Sequence, residues 1–591
     1  MCAKKDEAYA DIHEVDYRAS YMRNRLQASG LLAIAGRKAE LLNGEWHFME
    51  DPYESSLRGH WYKEITTDAD GRQLPSDFDP DDWGYMHVPS CWNMERPELY
   101  YYENLGMYMR TFRYTRHTED ERVFLHFEGA QYRAYVFLNG QCIGYHDGGS
   151  TPFTIEITKT VQKENRLFVS VDASRSHDRV PTENTDWFNY GGLYRDVMLI
   201  RTGKTLITDW FVRLRRNSGF KTIDVDMTVD GVSEGNAFLE IPELGVKQEI
   251  TVKNGKGSGS FYAEPELWSP ENPKLYEVKL SYEGDTLSDR IGFREIRVEG
   301  NNILLNGKER FLKGICVHED HIDMGKCNTD ENIREIIQNL KDLHGVFLRL
   351  AHYPHTRRFA QIADELGVML WEEIPVYWAI DFTNPKTYED AENQLSELIK
   401  RDRNRASVII WSVGNENPDT DERLSFMSRL AKKAHELDET RCVSAACLVN
   451  MKKLKFEDRL MEHLDIIGQN EYYGWYTPNF EELLTILDNS QPTKPVIITE
   501  FGGGAAAGNH GPSDMMWTEE FQAEIYRKQF AVQKKCPFIK GSTPWIMIDF
   551  RAERRLNRYQ KGYNRKGLIS SDRKTKKLAF KVVSDYYKEI K

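Results

Sequence analysis

From about residue 40 to 202 the chain is a succession of short runs in which apolar and polar residues largely alternate, such as "ERVFLHFEGA", "AYVFLNGQCIGYHDG" and "NRLFVSVDAS", parted by Gly, Asn and Asp. A period of two is that of a strand with one face buried, and many such strands joined by turn residues predict a β-sandwich. From about 203 to 297, "TIDVDMTVDG", "NAFLEIPE" and "LYEVKLSYEG" predict a second, smaller, immunoglobulin-like sandwich. Neither region carries the pattern of an extended amphipathic helix. After about residue 298 the rhythm changes to short apolar strands alternating with helical patterns, the signature of βα units around a parallel sheet. Eight strands are expected: "FLKGI" at 311–315, "VFLRL" at 346–350, "VMLW" at 368–371, "VIIWSV" at 408–413, "CVSAA" at 442–446, "IIGQN" at 466–470, "VIITE" at 496–500 and "STPWIMI" at 542–548. Amphipathic segments such as "TDENIREIIQNLKDLHG" and "DERLSFMSRLAKKAHEL" lie between most of them. That count and spacing predict a (β/α)8, or TIM, barrel. The expected class is multidomain β plus α/β: a jelly-roll-like β-sandwich over 1–202, an immunoglobulin-like β-sandwich over 203–297 and a TIM barrel over 298–591.

Length agrees, since 591 residues exceed what one hydrophobic core serves. The formal charge is -13, and one segment, "RAERRLNRYQKGYNRKGLISSDRKTKK", is strongly basic. An acidic chain with a single basic stretch argues against a nucleic-acid binder, which spreads its cations over a face. The cysteines, Cys2, Cys91, Cys142, Cys316, Cys327, Cys442, Cys447 and Cys536, stand singly, which favours reduced thiols over disulfides or a zinc site. "MCAKKDEAYADIHEVDYRAS" lacks the apolar core of a signal peptide, and no later stretch approaches the ~20 apolar residues of a membrane span, so a soluble, cytoplasmic chain is expected. Trp and Tyr recur in loop-like contexts, "GWYTP" and "DWFNYGG", which suit sugar rings and sandwich cores alike.

In a TIM barrel the chemistry sits at the C-terminal ends of the strands. The fourth ends in "WSVGNENP" with Asn415 and Glu416, and the seventh in "ITEFGGG" with Glu500. The second runs from Arg349 into "AHYPH", the sixth into "NEYYGWY", and the eighth carries Trp545. Either Glu alone would read as a strand-end residue in a salt bridge. Two facing carboxylates are what glycosidic cleavage requires: one protonates the departing oxygen, the other attacks the anomeric carbon. Burial and the second negative charge would raise the pKa of the acid, while Arg349 would keep the other Glu ionised. His352 with His355, and His318 with His321, have an i, i+3 spacing but no further ligands, so no metal is expected.

These strings, with "LRLAHYPH", "LNGEWHF", "DWFNYGGLYRDV", "GFREIRVEGNNILLNGK" and "FLKGICVHED", closely resemble the glycoside hydrolase family that contains β-galactosidases, β-mannosidases and β-glucuronidases, over nearly the whole chain. The resemblance implies a sugar-binding-like first domain, no cofactor, a homodimer or homotetramer, and retention of anomeric configuration with carboxyl groups about 5–5.5 Å apart. It makes Glu416 the acid/base, Glu500 the nucleophile and Asn415 a partner of the sugar 2-hydroxyl. Glu372 and Glu373 in "WEEIPVYW" are expected to support the site without performing the chemistry.

The sugar turns on "NRKG". The family's β-glucuronidases carry an Asn-x-Lys motif after the eighth strand, and "YNRKGLIS" matches it with Asn564 and Lys566. A uronic acid offers a carboxylate where a neutral hexose has a hydroxymethyl, and a Lys in a partly dry pocket can pair it. Asp186, His352, Asn470, Tyr472, Tyr476 and Trp545 match the family's other sugar contacts. The expectation is therefore a retaining β-glucuronidase acting on glucuronide small molecules or terminal glucuronic acid. β-Galacturonidase is the alternative, followed by β-galactosidase and a non-catalytic carbohydrate-binding protein. The sequence departs from the family in "VYWAIDFTNPKTYED", short enough to leave the mouth open, and in the Arg-rich "DFRAERRLNRYQKGY", expected to be solvated or to hold an oligomer contact.

Overall fold

In the computed structural model, which describes residues 18, 21–63, 70–71 and 79–590, the alternating segments at the front form two antiparallel sheets. One has four strands, ordered Ala39–Leu41, Val197–Thr202, Arg122–Phe127 and Phe153–Glu156. The other has six, ordered Gly84–Val88, Gly44–Glu50, Leu105–Arg113, Glu164–Asp172, Arg133–Leu138 and Gln141–Asp147. Alternate side chains point to the same face of a strand, and Trp46, Phe48, Leu125, Val136 and Val169 close one core. Apart from Arg18, the N-terminal stretch read for a leader, with Cys2, lies outside the described residues.

Seven more antiparallel strands follow, ordered Leu206–Leu214, Thr222–Asp230, Lys256–Tyr262, Val246–Lys253, Gly235–Ile241, Tyr276–Tyr282 and Asp285–Ile291. Val246–Lys253 and Lys256–Tyr262 share only the pairs Val252↔Gly257 and Lys253↔Lys256. The sheet therefore folds on itself, and Ile223 and Val225 meet Leu239, Ile250, Val278 and Leu280 in one core. This is the expected immunoglobulin-like sandwich.

The barrel is closed and parallel: β1 Leu312–Val317, β2 Phe347–Leu350, β3 Met369–Glu373, β4 Val408–Asn415, β5 Cys442–Leu448, β6 Ile467–Asn470, β7 Val496–Glu500 and β8 Ile539–Ser542. β8 returns to β1 through Leu312↔Gly541 and Lys313↔Ser542. Its helices are α1 Asp330–Asp342, α2 Arg357–Leu366, α3 Pro385–Asp402, α4 Asp421–Leu437, α5 Phe480–Asn489, α6 Glu519–Gln533 and α7 Leu578–Glu589, with only the short turn Arg459–His463 between β5 and β6. Strands covered on both faces must be apolar throughout, hence "VIIWSV" and "VIITE". Helix starts are written locally. The Thr329, Thr420 and Thr518 hydroxyls accept from the N–H groups of Asn332 (3.3 Å), Arg423 (3.2 Å) and Phe521 (3.1 Å), capping α1, α4 and α6.

The eighth strand departs from expectation, because β8 ends at Ser542, where "STPWIMI" begins. Pro544 has no N–H for a strand ladder. The chain instead crosses the barrel end, Trp545 N–H donating to Phe501 O at 2.9 Å. The described chain divides into two compact units, and Arg175–Asn189 belongs with Gly203–Lys591 rather than with the front sandwich strands. Gln394 Nε2 donates to Val180 O at 2.7 Å, and Phe188 N–H to Arg551 O at 3.0 Å. Asp186 thus shares a unit with the barrel. Among the described residues no helix is long and apolar enough to cross a membrane.

Candidate active site

Glu416 is the first residue after β4 and has a φ of 52°, a left-handed conformation that side-chain-bearing residues rarely adopt. The turn is held because Glu416 N–H donates to Ala446 O on β5 at 2.8 Å, while residues 376–378 pair with the end of β4, Trp378 N–H donating to Asn415 O at 2.9 Å. The carboxylate then accepts from Trp378 Nε1 at 2.8 Å and from Asn470 Nδ2 at 3.0 Å. Desolvation and the charge of Glu500 raise its pKa, outweighing these two donors.

Glu500 closes β7 and is held from both sides: Oε1 accepts from Arg349 Nη1 and Oε2 from the Tyr472 hydroxyl, each at 2.7 Å. His352 Nε2 lies 3.7 Å from Oε1. Arg349 is fully buried. It also donates to Glu373, Nη2 to Oε1 at 3.1 Å and Nε to Oε2 at 3.2 Å, and to Asn415 Oδ1 at 2.7 Å. Burial would raise the Glu373 carboxyl, but Arg349, His352 (2.7 Å) and the Trp371 indole (2.7 Å) together hold it below its ordinary value. Of the two expected supporting acids only Glu373 does this. Glu372 is pushed well above the usual range by burial and by Asp402 on α3.

Asn415 Oδ1 also accepts from Asn470 Nδ2 at 3.1 Å, and its buried Nδ2 has no partner among the described residues. The His352 ring stacks on Trp545, centroids 4.9 Å apart at 20°. A cavity of about 490 Å³ opens here, lined by Asp186, His352, Glu416, Asn470, Tyr472, Tyr476, Glu500, Trp545 and Lys566 of the expected residues. Arg349, Asn415 and Asn564 stand outside its lining, each buried and bonded to a lining residue, Glu500, Asn470 and Asp186 respectively.

At the cationic end Lys566 is 4 % exposed, and its Nζ donates to the Tyr476 hydroxyl at 2.8 Å. The ammonium lies 5.0 Å from the Tyr472 ring centre, 4.7 Å from that of Tyr476 and 5.7 Å from that of Trp475. Asn564 orients the strap, its Oδ1 accepting from Lys566 N–H and its Nδ2 donating to Asp186, both at 3.2 Å. The Gly of "NRKG" is dictated by contact, since a Cβ on Gly567 would lie 2.2 Å from Asp549 N. Asp549 accepts from Gly567 N–H at 2.8 Å and from the buried Lys577 ammonium at 2.9 Å, and Lys577 also donates to Ala505 O and Arg565 O.

A sequence model for "Glycosyl hydrolases family 2, TIM barrel domain" matches residues 296–591, one for the family's "sugar binding domain" matches 39–203, and one described as "Glycosyl hydrolases family 2" matches 205–294. The chain belongs to glycosyl hydrolases family 2. It is therefore a glycoside hydrolase. A β-glucuronidase of Paenibacillus borealis is 28% identical, aligned over 92% of this chain and 96% of its own. A Ruminococcus gnavus β-glucuronidase structure in complex with D-glucuronic acid superposes with a TM-score of 0.82 at 25% identity, covering 95% of this chain and 100% of that one. An Eisenbergiella tayi β-galacturonidase bound to galacturonate gives 0.79 at 26% identity, covering 94% and 98%.

The cavity of this family 2 hydrolase has walls that the sequence does not announce: Tyr377, Trp378, Arg555, and Leu448, Val449 and Met451 at and just after the end of β5. The Arg-rich segment is not simply a solvated loop. Arg551 is buried against Asp320, Arg554 lies over the Trp378 ring, and Arg555 lines the cavity, its Nε 2.8 Å from Asp186 Oδ1. Arg554, Leu556, Asn557, Arg558 and Lys561 of the segment are open to solvent. The aromatic run "VYW" was the available signal for Trp378, whereas nothing in sequence set Arg555 apart from its neighbours.

Glu471 lines the same cavity, is buried, and accepts from Tyr473 N–H and Gln529 Nε2, each at 3.0 Å. Burial raises its pKa to about 7 from an ordinary 4.5. A raised folded-state pKa means that the neutral carboxyl is favoured by folding: the stabilisation is full below the unfolded value and is lost as pH rises through about 7. The shift is worth roughly 3 kcal/mol at most. Glu471→Gln is expected to flatten the fall in Tm between pH 5 and 8 measured by calorimetry, and an unchanged slope would assign that fall to other groups.

Proposed function

We propose that this glycoside hydrolase is a retaining β-glucuronidase. The supporting observation is Lys566, a buried ammonium facing a sugar-sized cavity with one hydroxyl and three aromatic rings around it and no carboxylate paired to it among the described residues. A neutral hexose would leave that charge desolvated, whereas a C5 carboxylate completes it. The division at 202 and 297 into sugar-binding-like sandwich, immunoglobulin-like sandwich and catalytic barrel is part of this reading, supported by the matched spans.

In the first step Glu500 attacks the anomeric carbon, the glycosidic C–O bond breaks, and Glu416 transfers its proton to the departing oxygen. Arg349 and Tyr472 hold and aim the Glu500 carboxylate. The unpartnered Asn415 Nδ2 suits the sugar 2-hydroxyl. Once Glu500 is esterified its charge is gone, which lowers the Glu416 pKa and makes it the base that takes a proton from water. That water attacks the anomeric carbon, the ester bond breaks, and both carboxyl groups return to their starting states.

A galacturonide is the second reading, favoured by the similarity to the galacturonate-bound structure, since inversion at C4 leaves the carboxylate where it was. The test is kcat/KM on 4-nitrophenyl β-glucuronide, β-galacturonide and β-galactoside. The glucuronide should lead, with the galactoside at least about 100-fold lower. A faster galacturonide would establish the second reading, and a faster galactoside would sink both.

A further inference from the structure

The proton of Glu416 goes to the leaving group, so the aglycone must leave the cavity past Glu416. Three elements border that carboxylate: the Trp378 indole and the Asn470 amide of β6, both bonded to it, and β5, whose Ala446 O holds its backbone. β5 ends on Leu448, which pairs in register with Asn470, and Val449 and Met451 follow it, all lining the cavity. Leu448 is 41% and Met451 50% exposed, among the most open large apolar side chains of the described residues.

The segment that carries them is built rather than loose. Asn450 N–H donates to Lys455 O at 3.0 Å and Lys455 N–H to Asn450 O at 3.3 Å, closing a turn. That turn is pinned to the end of α5, Asn489 Nδ2 donating to Leu454 O at 3.0 Å and Phe456 N–H to Ser490 Oγ at 2.8 Å. The Tyr473 hydroxyl lies 3.7 Å from Met451 Sδ. A fixed apolar lip that water covers in the free enzyme favours any partner that removes it from water. The segment joining β3 to α3, residues 374–384, brings Tyr377 and Trp378 to the same cavity, so part of its wall is aromatic as well.

We propose that Leu448, Val449 and Met451, with the Trp378 indole, form the aglycone subsite, and that it takes an apolar aryl or alicyclic leaving group in preference to a sugar or polyol. A sugar would bring hydroxyl groups against side chains that offer no hydrogen bonds, and each would lose water without replacement. The flexible Met451 accommodates rings of different outline. The inference rests on Glu416 as proton donor and not on the identity of the sugar.

The test compares 2-phenylethyl and 2-hydroxyethyl β-glucuronides, primary alkoxides of similar leaving ability that differ in apolar surface. In the wild type the phenylethyl substrate should have at least tenfold higher kcat/KM, and Leu448→Ser/Met451→Ser should cut that ratio at least fivefold. General damage to the fold lowers both substrates together and leaves the ratio alone. Inhibition of the wild type by 2-phenylethanol, absent with ethylene glycol at the same concentration, is the check that needs no variant. A wild-type ratio near one, or a ratio that the double variant leaves intact, overturns the subsite. Failure to cleave either uronide would instead remove the uronidase reading, and the same two aglycones on the sugar that is cleaved would still decide the lip.

Discussion

On the proposed double displacement, Glu500→Gln should lower kcat on an aryl glucuronide by roughly 10,000-fold or more, because the amide cannot form the covalent intermediate that would divide the reaction into two accessible steps. The substitution is nearly isosteric. The Gln oxygen still accepts from Arg349, which keeps Glu373 as its second partner, so the buried guanidinium is not stripped of its counter-charge. Circular dichroism and thermal melting should report a folded enzyme. The sharper readout is chemical rescue. In Glu500→Ala, azide entering from the vacated side should give the α-glycosyl azide, whereas in Glu416→Ala it should intercept the intermediate and give the β-anomer. The same anomer from both variants would mean that the roles of the two carboxylates are misassigned.

Lys566→Met should cost roughly 100- to 1,000-fold in kcat/KM on the glucuronide and far less on the galactoside. Met keeps an apolar stem across the Tyr472, Trp475 and Tyr476 rings, so the difference isolates the charge. The substrate carboxylate loses its cation, while a neutral hexose no longer strands one, and the galactoside rate can even rise. Asp549→Asn should act in the same direction at about tenfold, since the carboxylate holds Gly567 and Lys577 and through them the strap that carries Lys566. Equal losses on both sugars for Lys566→Met would make the lysine a packing residue.

Most of the barrel was legible because its strands announce themselves. Fully covered parallel strands are apolar runs, and their ends must carry the polar chemistry, which is how Glu416 and Glu500 are found without coordinates. β8 was misplaced because "STPWIMI" is as apolar as a strand while Pro544 removes the donor that a ladder needs, and periodicity does not weigh that. Glu372 and Glu373 are neighbours with one motif between them. Strand geometry sends one to Arg349 and the other to Asp402, since successive side chains face opposite sides.

By itself the sequence placed the two carboxylates and the arginine beside them, because each lies in or directly after a strand whose direction local pattern dictates, while Lys566, well past the end of β8, was marked by its match to the Asn-x-Lys motif. Only the tertiary structure decided what those groups face. The Asp186–Arg555 ion pair joins residues 369 apart in the chain. Trp378 reaches Glu416 through backbone pairing with a strand that follows it, and the apolar lip owes its place to a turn pinned on α5. Such contacts depend on how long segments cross the barrel mouth, and the free energy that sets those crossings is spread over packing remote from the residues they bring together.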